Sequence, residues 1–533
     1  MKLLSVVRKE WLFFLCILVA FSISLLWPGD AFWPDYDQVT FISQALMANV
    51  FHTLSSYYHA GGVVPIHPFT VWIYQLFFLI TSDIIRIIVI KQFLVLSICL
   101  AGLYYLANTL NYNKYGILIY FASPCHYIVS RMLVENTFLV PFSLLLFVFF
   151  AWFYKHKGYL PLFCWVVCII VMFHLHPRSL ILTIPFSVIF FVFEHKWFKK
   201  HWLGSLLILL WGGIMCFPYL STIIQQLHVS DTPDVRSLPE TNKWLNFLFI
   251  IISGGLWYSY DFLQLISDIY FSRWGFPPSL AKAIIGITMV GYLFLLLGMG
   301  LALSGLVKRI RSRDMPTLED GFDLLCLLTI VLYSAVLFIF PIHFNFWHHS
   351  GLWFCSFYLI WKAITVIWQK RFIRYVVPAY VVAMLVVWSA CLGMIHKNNS
   401  GMFAIKNSVY FASKVAGYSP ESDIVLSANW EDDAERFADA VIAGSDRAVL
   451  GFYYRAFGLI LKDVIWEARA KNINSLYSAL KPLVFLERQG QKEFLPAQVL
   501  VIKKNERAGE NGLMLIDDPA QVRMELNRLR SGK

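Results

Sequence analysis

Residues 84–108 read IIRIIVIKQFLVLSICLAGLYYLAN, an apolar run whose only charges, Arg86 and Lys91, fall near its start. As a helix rising 1.5 Å per residue it would be roughly 37 Å long, enough to cross the ~30 Å apolar core of a bilayer. Helices suit that setting because they satisfy their own backbone polar groups. Working outward, comparable runs lie near 11–27, 115–131, 136–154, 159–174, 179–195, 203–220, 281–305, 322–341, 350–368 and 375–396. The pattern predicts an α-helical polytopic membrane protein with about eleven transmembrane helices.

Composition points the same way. The chain is 58% hydrophobic and only 14% charged, a balance that excludes an ordinary soluble domain and a disordered segment alike. Its formal charge is +11. Before residue 396, however, most basic residues sit in short clusters between apolar runs, where they act as topology signals, and no nucleic-acid partner is expected. All nine cysteines fall inside apolar stretches, without disulfide or zinc spacing, and read as small core residues. Residues 1–27 lack a small-residue cleavage pattern and are expected to remain as the first helix.

The clusters Lys155/Lys157, Lys196/Lys199/Lys200, Lys308/Arg309/Arg311/Arg313 and Lys370/Arg371/Arg374, together with Lys2, Arg8 and Lys9, all belong on the cytoplasmic side. They do so together only if 66–82 does not cross, so that segment is expected to be interfacial or re-entrant. Loops 28–83, 132–135, 175–178, 221–280 and 342–349 then open outward, and Trp244–Tyr260, containing Gly254-Gly255, is expected to lie on the membrane surface. The transmembrane domain is assigned to 1–401. From 402 to 533 the composition changes: Asp423-Ile424-Val425-Leu426 and Val499-Leu500-Val501-Ile502 look like strands and Asp432–Gly444 like a helix. This predicts a small extracytoplasmic α/β domain.

Polar residues that can carry chemistry concentrate in the outer loops. Residues 28–65 contain Asp30, Asp35 and Asp37 and no lysine or arginine. Asp35 and Asp37 suit a general base with a helper, or ligands for a hard divalent cation; one of them equally suits an N-cap for a helix starting near Gln38. His67-Pro68 places an imidazole at the membrane boundary. Arg131 and Glu135 stand one helical turn apart at the outer end of a crossing, as an internal ion pair or as part of a site. In His174-Leu175-His176-Pro177-Arg178, the arginine suits a phosphate clamp. Histidines two apart do not share a helix face, which argues against a dihistidine metal site unless the chain bends at Pro177. His343, His348 and His349, beside Asn345 and Trp347, suit headgroup contact or a site.

Together, the acidic loop with Asp35-Tyr36-Asp37, the His67-Pro68 element, Asp83-Ile84-Ile85-Arg86, Ala122-Ser123-Pro124, the Ser130–Asn136 stretch and Pro218-Tyr219-Leu220 resemble the GT-C superfamily. These are polytopic glycosyltransferases using polyprenyl-phosphate sugars, among them the protein O-mannosyltransferases and lipid A aminoarabinose transferases. The resemblance covers about the first 220 residues; Phe69 stands where the family's second proline would be. It implies that Asp37 by preference, or Asp35, removes a proton from an acceptor hydroxyl, which attacks the anomeric carbon with inversion. The leaving phosphate needs cations and donors rather than a strong acid, and His67, Arg86, Arg131 and Arg178, with Glu135, are the implied substrate-binding residues. No cofactor is expected, and a divalent metal is taken as dispensable.

The expected partners are a polyprenyl-phosphate-linked sugar, a glycan, lipid or protein acceptor, and membrane lipid. The expected location is a bacterial inner membrane with a periplasmic active face. Three rivals remain: an O-antigen-type polymerase or ligase using Arg236 and Arg273, a lipid-linked-substrate transporter, and a scaffold presenting the C-terminal domain. Transporters place charges within helices, whereas here helix interiors are largely uncharged.

Overall fold

A computed structural model describes residues 10–28, 41, 45, 67–81, 84–123, 131, 133, 135–229, 277–312, 316–339, 351–370, 373–398, 423–427, 499–503 and 513–516. The expected features at Asp35, Asp37, Trp244–Tyr260, the histidines 343, 348 and 349, and the helix 432–444 lie outside these residues. The described helices are α1 Trp11–Ser24, α2 Phe69–Ile80, α3 Ile84–Leu110, α4 Ile117–Phe121, α5 Glu135–His156, α6 Tyr159–Leu175, α7 Leu180–Lys200, α8 Trp202–Val229, α9 Pro278–Ser312, α10 Leu318–Ile339, α11 Trp353–Ile367 and α12 Ile373–Asn398.

Six of the described helical stretches are long and apolar enough to cross a membrane: Arg86–Leu110, Thr137–His156, Pro177–Lys200, Trp202–Ile224, Pro278–Ser312 and Tyr375–Met394. Helix α2 has 12 residues, about 18 Å of rise, which is short of a ~30 Å hydrocarbon core. The segment expected to run as one helix over 115–131 differs. A 3₁₀ turn, Lys114–Gly116, leads into the five-residue α4, which is capped at Ala122. Pro124 supplies the physical reason, since a residue preceding proline is pushed out of the helical region.

The chain divides into two compact units. The first comprises residues 1–26, 92–130 and 135–394, and the second 27–91, 131–134 and 395–533. In the first, α5 presents Phe147, Phe150 and Phe153 at a spacing of three, which keeps them on one face. Phe147 meets Phe186 of α7, Phe322 of α10 and Phe354 of α11, while Phe150 and Phe153 meet Phe190 and Phe153 also meets Trp197. Edge-to-face geometry dominates these pairs, as ring quadrupoles favour. Helix α9 crosses α11 at Gly298, where a Cβ would stand 2.0 Å from the Leu359 carbonyl oxygen. Only glycine permits that approach of two backbones.

One end of this unit is tied by charge. Lys114 Nζ reaches Glu10 at 2.6 Å, Arg309 reaches Asp320 at 3.1 Å, and Lys157 pairs with Glu194. Lys362 of α11 bridges Glu319 at 2.7 Å and Asp323 at 2.5 Å on α10. Tyr112, in the turn after α3, donates to Glu319 at 2.8 Å and contacts the Tyr358 hydroxyl at 3.2 Å. Burial, with the charge of Glu319 beside it, raises the Tyr112 phenol above its ordinary range. Thr317 and Asp320 cap α10 reciprocally, each side chain accepting the other's backbone N–H.

In the second unit, α2 begins at His67-Pro68, and three described strands pair antiparallel in the order β1-β2-β3. These are β1 Asp423–Ser427, β2 Val499–Lys503 and β3 Leu513–Ile516. Asp423 faces Lys503 and Val499 faces Ile516. The first two strands fall on the stretches whose composition suggested them.

Candidate functional site

The turn between α6 and α7 is built by its own sequence. Helix α6 ends where His176 takes an extended conformation, φ −159° and ψ 125°. Pro177 then fits the first position of the 3₁₀ turn Pro177–Ser179, because proline has no N–H to satisfy there. The His176 N–H donates to the Met172 carbonyl at 3.0 Å, and its own carbonyl accepts from Ser179 N–H at 2.9 Å. Its Nδ1 accepts from the Arg178 N–H at 3.1 Å. The ring thus replaces the side-chain oxygen of an ordinary cap.

That turn places Arg178 and Ser179 on a shallow open recess walled by Leu139 of α5, Leu182 of α7, Tyr333 of α10 and Leu352. Arg178 is half-buried and lies within electrostatic reach of Tyr333. Ser179 is 5% exposed, and its hydroxyl has no hydrogen-bond partner among the described residues; neither has the indole N–H of Trp353, next along the chain from Leu352. A guanidinium and an unengaged hydroxyl in an apolar-walled opening suit an anionic group attached to an apolar body.

His176 is held well below its ordinary value, chiefly by burial and further by the charge of Arg178. It is therefore neutral near pH 7, as an accepting Nδ1 requires. His174, two residues earlier, contacts the Ile170 carbonyl through Nδ1 at 2.7 Å, so its Nδ1 is the protonated nitrogen. Its ring stacks on Tyr219. The two histidines serve separate faces, and among the described residues no group of three potential metal ligands occurs.

The other residues singled out from sequence are placed as follows. His67 is buried at the start of α2, its Nδ1 accepting from Phe69 N–H at 3.1 Å and its ring edge-on to Trp72. Arg86 is exposed in the first turn of α3. Arg131 is fully buried and donates to the Trp27 carbonyl at 3.2 Å; Trp27 stacks on His396 with centroids 4.5 Å apart. Glu135 opens α5, its side chain lying outside the described residues, as do Asp35 and Asp37.

His67, Arg86 and Arg131 belong to the second unit and Arg178 to the first. Among the described residues singled out from sequence, Arg178 lines this recess, and Ser179, Tyr333 and Leu352 are partners that sequence reasoning missed. Ser179 adjoins Arg178 in the chain and carried a usable signal. Tyr333 lies deep within an apolar run and carried none. Comparisons with protein-family models, with characterised proteins and with solved structures return no match to this chain.

Proposed function

We propose that this chain is a membrane glycosyltransferase that moves a sugar from a polyprenyl-phosphate donor to an acceptor hydroxyl on the outer face, with inversion. The observation that carries the reading is the recess where Arg178 and the buried Ser179 hydroxyl meet leucine walls. A donor of this kind is an anion joined to a long hydrocarbon, and the two parts match the two kinds of wall. Asp37, with Asp35 as second choice, is the proposed general base. Arg178, and separately His67, Arg86, Arg131 and Glu135, are proposed substrate contacts. A bacterial inner membrane with a periplasmic active face, and an extracytoplasmic α/β domain beyond residue 402, complete the proposal.

Transport of a lipid-linked substrate is the second reading, favoured by one observation. Lys91 is fully buried in α3, and burial drives such intramembrane charges to be rare and functional. Mass spectrometry of envelope glycolipids and glycans separates the two readings, using cells lacking the gene and complemented with wild type or Asp37→Asn. Loss of a sugar-sized mass, restored by wild type and not by the mutant, supports the transferase. An unchanged glycan profile on deletion removes it and advances transport.

A further inference from the structure

Two histidines in this chain precede a proline that opens a helical turn, and both rings fold back on the same backbone atom. His67 Nδ1 accepts the N–H of Phe69, and His176 Nδ1 accepts the N–H of Arg178, each at 3.1 Å. Because the intervening proline has no N–H, the residue after it carries the first amide that the helix cannot satisfy. A ring nitrogen that accepts cannot also hold a proton, so in neutral imidazole the proton is on Nε2.

At His176 the capped amide is that of Arg178 itself, and the adjoining Ser179 N–H bonds to the His176 carbonyl. One residue thus fixes the backbone under both polar groups of the recess. We propose that His176 is a positioning residue: as the neutral Nε2–H tautomer it caps the turn Pro177–Ser179, aims Arg178 and Ser179 at the anionic headgroup in the recess, and releases them when protonated. Protonated imidazole donates at both nitrogens, so the cap and the charged ring are mutually exclusive. Among the described residues, the charged and titratable groups about this turn include Arg178 within it, whose charge reaches both His176 and Tyr333 of α10, and, two residues before His176, His174 of α6, whose ring is turned onto Tyr219 of α8.

The proposal rests on reading the recess as a donor-phosphate site, and two measurements keep the two ideas apart. The first is binding of farnesyl phosphate to the full-length protein in lipid nanodiscs, for wild type, His176→Asn and His176→Ala, from about pH 7.5 down to about pH 4.5, low enough to reach a ring that burial keeps neutral below its ordinary range. Asparagine offers an oxygen to the same amide and does not titrate. At the upper pH, alanine is expected to weaken binding roughly tenfold and asparagine by no more than about threefold. On acidification wild type is expected to lose affinity relative to the asparagine variant, which controls for titration of the phosphate.

Alanine equal to wild type, asparagine as poor as alanine, or wild type and asparagine responding alike to pH each overturns the proposal. The second measurement is nitrogen NMR of histidine-labelled protein, with the His176 signal identified by its loss in His176→Asn. Protonated Nε2 and bare Nδ1 support the cap even where wild type fails to bind farnesyl phosphate, an outcome that would sink the donor-site reading alone. An Nδ1–H tautomer overturns the cap whatever the ligand.

Discussion

Lys362 Nζ lies 2.5 Å from Asp323 Oδ2 between α11 and α10, with the two side chains 9% and 1% exposed. Each group is the other's counter-charge in a site closed to water, and removing one strands its partner. Lys362→Met is expected to cost about 3–5 kcal/mol, while Lys362→Met with Asp323→Leu is expected to recover most of that loss. Thermal unfolding in detergent reads both. Equal destabilisation by the single and double variants would show that helix packing, not charge, is at stake.

Gly298 is expected to be intolerant of any side chain, since its Cβ would meet backbone rather than a movable group. Gly298→Ala should destabilise by roughly 1–3 kcal/mol as α9 is pushed off α11. Gly300, which has open space around its Cβ position, should accept alanine with little change. The comparison of the two melting temperatures isolates the crossing from helix propensity.

Arg178→Ala is expected to raise the donor KM by roughly tenfold or more, the scale of a lost charge-assisted hydrogen bond. Arg178→Lys should recover only part of it, because an ammonium lacks the planar fork that grips a phosphate. Initial-rate kinetics with a synthetic polyprenyl-phosphate sugar measures this. A change in kcat with KM untouched would move Arg178 away from ground-state donor binding.

Asp37→Asn is expected to lower kcat by roughly 10²–10⁴, the range for a general base, with donor affinity retained. Should the variant keep full activity, Asp35→Asn is the next test. Activity abolished by a chelator and restored by magnesium or manganese would recast the pair as metal ligands.

Much of the helical architecture could be read from local pattern because burial in lipid demands long apolar runs. The run 159–174 becomes α6, 203–220 lies inside α8, and 375–396 lies inside α12. The run 115–131 misled, since apolar residues continue through Pro124 while the helix stops at Phe121. The recess was legible only at Arg178. Tyr333 and Leu352 come from distant stretches whose apolar character fits any buried surface equally well. The Asp323–Lys362 pair joins positions 39 apart, and nothing local to either announces the other.

The ion pairs at Glu10–Lys114, Lys157–Glu194, Arg309–Asp320 and Lys362 with Glu319 and Asp323 join parts of the first unit near helix ends that the charge pattern assigns to the cytoplasm. The Arg178 recess lies near the opposite ends of α6 and α7, and none of its lining residues belongs to one of these pairs. A substitution in one of these pairs is therefore expected to lower stability without altering the lining of the recess.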